Sequence, residues 1–118
     1  MEPAELRSLL TGALQSELGA NKRRTFGWDA FYFRGRLFVL FSDDDFVGKW
    51  SPALKAGLRK TVAGVRPFMN DDPTAEASWL RVPMLEISDL GQAMALARDA
   101  AAYVNTPAGA PKGRRNRT

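Results

Sequence analysis

The chain has 118 residues, 45% of them hydrophobic and 25% charged, enough for one compact domain that needs no metal or disulfide staple. It contains no cysteine and no histidine, which excludes disulfides, thiolate zinc sites, cysteine nucleophiles and any imidazole base or ligand. The net charge of +4 is local, because residues 106–118 carry four of the 17 basic residues and none of the 13 acidic ones, leaving a body with 13 of each.

The N-terminal segment reads as a helix from Pro3 to Leu18. Pro3 suits a first helical position. Leu6, Leu9, Leu10, Ala13, Leu14 and Leu18 recur at helical spacing. Gly19 is the expected stop. Acids interrupt this segment and no basic run precedes it, so it does not read as a signal peptide. No apolar run approaches the length of a membrane span. A cytoplasmic location, away from the membrane, is the expectation.

The stretch Thr25 to Phe33 is aromatic and β-branched and predicts a strand, bent at Gly27. Arg34-Gly35 reads as a two-residue hairpin turn. Leu37–Ser42 is the returning strand. Asp43, Asp44 and Asp45 read as a solvated turn leading to a third strand through Phe46 and Val47 to Trp50. Ser51-Pro52 is a strong helix start, followed by Leu54, Leu58 and Val62 on one face. Gly64 ends that helix. Val65–Met69 predicts a short fourth strand, restricted to an edge by Pro67. Residues 70–76 read as a loop. In the following "SWLRVPML" strand, Trp79 and Arg81 fall on one side, Leu80 and Val82 on the other. Ser88 or Asp89 caps a last helix with Leu90, Met94, Ala97, Ala101 and Val104 in its stripe. The expected order is α-β(3)-α-β(2)-α, a two-layer α+β domain over residues 1–105 with an antiparallel sheet. The basic segment 106–118, rich in Pro, Gly and Arg, is expected to be disordered.

Several of these features together resemble a known family. Arg24, Phe26-Gly27, the aromatic run Phe31 to Phe33, Gly35, Phe38, Asp43 to Asp45 and Lys49 fall in the order typical of the TfoX/Sxy N-terminal domain. "VRPF", "SWLRVP" and the alanine-rich last helix continue the pattern, which spans roughly residues 20 to 105. The MmcQ/YjbR family is similar over the same region. One departure is Thr25, where the TfoX family often has Met. The resemblance implies a secretion-chaperone-like or YjbR-like fold and a regulatory or interaction role. It supplies no catalytic motif.

The residues themselves carry little chemistry. The acids 43–45 lack the spacing of a calcium loop, and no glycine-rich phosphate loop occurs. A non-enzymatic module without cofactor or metal is the expectation. More informative is the aromatic set Phe26, Trp28, Phe31, Tyr32, Phe33, Phe38, Phe41, Phe46, Trp50 and Trp79. Alternation sends one face into the core and leaves other rings to be covered, by the chain's own core, by a second subunit in a homodimer or by a protein partner. The alternative is nucleic-acid binding. In it, aromatics beside Lys22, Arg23 and Arg24 stack bases, and Arg34, Arg36, Lys112, Arg114, Arg115 and Arg117 contact phosphates.

Overall fold

A computed structural model describes residues 2–68 and 78–110. The elements in chain order are α1 (Pro3–Glu17), β1 (Asn21–Thr25), β2 (Trp28–Phe33), β3 (Arg36–Ser42), β4 (Asp45–Gly48), α2 (Pro52–Thr61), β5 (Arg66–Pro67), β6 (Leu80–Pro83) and α3 (Leu90–Val104). A 3-10 turn, Met84–Glu86, follows β6. The six strands form one antiparallel sheet in the order β1-β2-β3-β4-β6-β5. The α+β class and the antiparallel sheet agree with the sequence reading.

One expectation about the strands fails. The bend at Gly27 is a full reversal. Phe26 and Gly27 have φ of 52° and 84°, the pair of positive angles that defines a type I′ turn. The turn pairs Thr25 with Trp28 and folds Asn21–Thr25 back on β2 as an additional strand. Arg34 and Gly35, with φ of 53° and 79°, make the expected hairpin in the same way.

All three helices contribute to one core with the first face of the sheet. Leu6, Leu10 and Leu14 of α1, Leu58 of α2, and Met94, Ala97 and Ala101 of α3 pack with Phe31, Phe41, Phe46, Leu80 and Val82. A bulge between β2 and β3 adds to it. Phe31 pairs with Val39 and Tyr32 with Leu37, so Phe38 is left without an opposite residue. Phe38 and its neighbour Val39 both enter the core despite strict alternation elsewhere. Trp50 covers Gly48, where any Cβ would overlap the indole. Its Nε1 donates to the Leu96 carbonyl at 2.8 Å.

The helix ends follow their caps. The Ser51 hydroxyl accepts from the Leu54 amide, and Ser51 itself donates twice to Asp99 of α3, tying the two helices together. Asp89, rather than Ser88, is the N-cap of α3 and accepts from the Gln92 amide at 2.8 Å. The Gln92 side chain reaches back to accept from Ser88, completing a reciprocal cap. After α3 the chain does not leave the fold at Asn105. Gly109 and Ala110 amides bond the Thr106 carbonyl, and Gly109 is buried against Tyr103. The 70–76 loop and the basic residues beyond Ala110 lie outside the described residues. No helix among the described residues is long and apolar enough to cross a membrane.

Candidate functional site

The second face of the sheet has its own small apolar cluster of Ala30, Leu40, Val47 and Phe68, with Trp28, Tyr32, Leu37 and Trp79 packed around it. Phe68 follows β5 at one edge, yet its ring lies 5.1 Å from Trp28 on β2, near the other. Its amide donates to the Trp79 carbonyl. The chain therefore folds one of its own aromatics across the strands. The Arg81 guanidinium lies 5.0 Å from the centre of the same ring. Most of the aromatics expected to need a partner are thus used internally.

Beside Phe68 is a polar cluster. Asp45, expected on a solvated turn, begins β4 and is only 6% exposed. Arg66 donates to it at 2.8 Å and Arg81 lies 3.5 Å from the same oxygen. Arg81 also donates to the Ser42 hydroxyl at 3.1 Å. Asp43 and Asp44 remain exposed. The three neighbouring acids consequently do not converge: alternation turns one inward while the turn holds two in water. No group of three or more acids that could hold a metal occurs among the described residues.

The two hairpin arginines of the sequence reading have different surroundings. Arg36 reaches under α3 and donates to the Val104 carbonyl at 2.8 Å, which satisfies an acceptor at the helix C-terminus. Arg34 is exposed on the turn and lies 5.2 Å over Phe33. Neither joins the aromatics of the second face. Lys112, Arg114, Arg115 and Arg117 lie outside the described residues.

What is exposed and basic is the β1–β2 hairpin. Lys22, Arg23 and Arg24 are consecutive and exposed on β1, which forms one edge of the described sheet with β2 as its neighbour. Arg23 covers the Tyr32 ring at 4.9 Å, and the Tyr32 and Thr25 hydroxyls are 3.2 Å apart. On the opposite face Asp29 receives Arg24 at 3.0 Å and Arg7 of α1 at 3.1 Å. Burial alone would raise the Asp29 carboxyl. The hydrogen bonds from Arg24 and Arg7 and the nearby Lys22 charge outweigh it and hold the group below the usual carboxylate range. Arg7 also lies 4.6 Å over Phe41 and donates to the Asp43 carbonyl at 3.3 Å, so this one side chain joins α1 to β2, to β3 and to the turn after β3.

At the tip of this hairpin stands Phe26, 88% exposed. Its ring meets Trp28 edge-on, at 6.2 Å. A type I′ turn prefers Asn, Asp or Gly at this position, since bulky residues are sterically disfavoured at positive φ. Neither turn chemistry nor burial accounts for a phenylalanine here. The sequence signal is the X-Gly pair Phe26-Gly27, obscured because its first residue is aromatic and the run before it, Asn21–Thr25, has no apolar alternation. Scanned against models of protein families the chain matches none, and comparison with curated protein sequences finds no match either.

Proposed function

We propose that the protein is a non-enzymatic interaction module, as the TfoX N-terminal resemblance implies, and that it engages a protein partner through the tip of the β1–β2 hairpin. The observation that carries this reading is Phe26, an exposed aromatic held in a conformation that suits it poorly. Strained residues persist where something else selects for them. Exposed aromatics on rigid turns are favoured anchors in protein interfaces because they bury a large area at small entropic cost. A second copy making a homodimer is the first partner in this reading. A cytoplasmic setting suits a chain without cysteine.

The test replaces Phe26 by Asn, which the turn favours. Sedimentation should show the wild type self-associating as concentration rises and Phe26→Asn remaining monomeric. A wild type that is monomeric at high micromolar concentration eliminates the homodimer. Self-association unaffected by Phe26→Asn eliminates the tip as its interface.

Nucleic-acid binding is the second reading, and the three consecutive cations on β1 favour it. Much of its stacking surface is occupied, however, because Trp28 lies against Phe68 and Tyr32 lies under Arg23. Arg36, one of its expected phosphate contacts, already serves α3.

A further inference from the structure

We infer that β1 receives an extended acidic segment of a partner protein as a seventh strand of the sheet. The inference rests on the hairpin being an interaction element and names the class of partner that its β1 edge takes, as distinct from the self-association assigned to its tip. The first support is the backbone. In a two-residue hairpin the residues flanking the turn exchange both hydrogen bonds, and such pairs then alternate along the ladder. With Thr25 opposite Trp28, Arg23 opposite Ala30 and Asn21 opposite Tyr32, those three residues bond inward to β2. The N–H and C=O groups of Lys22 and Arg24 therefore point outward from the sheet. A peptide strand supplies both donors and acceptors to such an edge, whereas phosphates supply acceptors alone.

The second support is charge, which selects between a second copy and another chain. Antiparallel pairing of two β1 strands about their centres would set Arg23 against Arg23 and Lys22 against Arg24. Like charges directly opposite oppose pairing, and basic residues on an edge are a recognised guard against it. An acidic strand reverses the sign at every one of these positions. The other edge is poorly suited, because β5 has two residues and one is Pro67, which lacks an N–H. Strand alternation places Lys22 and Arg24 on the helix side and Arg23 on the second face, so an acidic segment meets a cation whichever face its acids occupy.

The experiment titrates the full chain with three labelled probes: a peptide alternating Glu and Val, its Lys and Val counterpart, and single-stranded oligothymidylate. Anisotropy should saturate with the Glu–Val peptide alone. On its addition the Lys22 and Arg24 amides should exchange roughly tenfold more slowly or better, while Arg23, already bonded to β2, is unchanged. Lys22→Glu, Arg23→Glu and Arg24→Glu combined should exchange the preference for the Glu–Val peptide for one toward the Lys–Val peptide. Arg23→Glu alone, which leaves the Arg24–Asp29 pair intact, should weaken Glu–Val binding if the triple variant does not fold. Preference for oligothymidylate, no Glu–Val binding, or binding without protection at Lys22 and Arg24 each overturns the inference. Protection at β1 that survives Phe26→Asn sinks the tip reading and keeps strand addition. Self-association that Phe26→Asn abolishes, without protection at β1, does the reverse.

Discussion

Phe26 and Asp29 sit three residues apart and have opposite logic. Phe26 costs stability where it stands. Left-handed backbone is unfavourable for a bulky L-residue by about 1–2 kcal/mol, and Asn tolerates it better. Against that gain, the Asn side chain forgoes the edge-on packing of the Phe26 ring with Trp28. Phe26→Asn should therefore unfold in urea with a stability equal to wild type or up to about 1 kcal/mol above it. Asp29 instead stabilises, by joining Arg24 of β1 to Arg7 of α1. Its folded pKa is depressed, so its contribution is complete above the unfolded carboxylate pKa of about 3.9. That contribution is lost as pH falls from there through the folded value. Urea midpoints across the acid range should show Asp29→Asn flatter than wild type in this window. Because both arginines are substantially exposed, the difference at neutral pH should be about 1 kcal/mol or less.

Among the elements, β1 and α3 best separate structural cations from available ones. Arg36 caps the last turn of α3 and is committed to the fold. Arg36→Ala should cost about 1 kcal/mol, the net worth of one such bond, and should speed amide exchange in residues 101–105 before it affects the sheet. If those amides exchange as in wild type, Arg36 does not hold the helix. The alternation of Leu80 and Val82 against Trp79 and Arg81 was legible in the sequence because it is a local property of extended chain. The bulge at Phe38 was not, because it depends on the register of β3 against β2. β1 was missed for a related reason: "NKRRT" has no apolar alternation, being an edge strand exposed along most of its length.

At the scale of the molecule, the helices pack on one face of the sheet, and among the described residues the second face is partly closed by Phe68. The chain also keeps its fold past the expected boundary at Asn105, as far as Ala110. A chain ending at Asn105 should be less stable than one ending at Ala110 by about 1 kcal/mol, through loss of the Thr106 bonds to Tyr103 and the turn that buries Gly109. Equal midpoints for the two truncations would show that this turn contributes nothing.

The sequence alone determined the α+β class, the three helices with the starts of the first two, the edge position of Pro67 and the lack of cysteine and histidine chemistry. Each follows from composition or from periodicity within one element. Only the tertiary structure decided that Phe-Gly closes a hairpin, that Asp45 turns inward to Arg66 and Arg81, that Arg36 serves α3, and that Phe68 occupies the second face. These depend on pairing register and on packing between residues distant in sequence. In the sequence Phe26 is one aromatic among twelve. Only the fold placed it in water at the end of a basic edge strand.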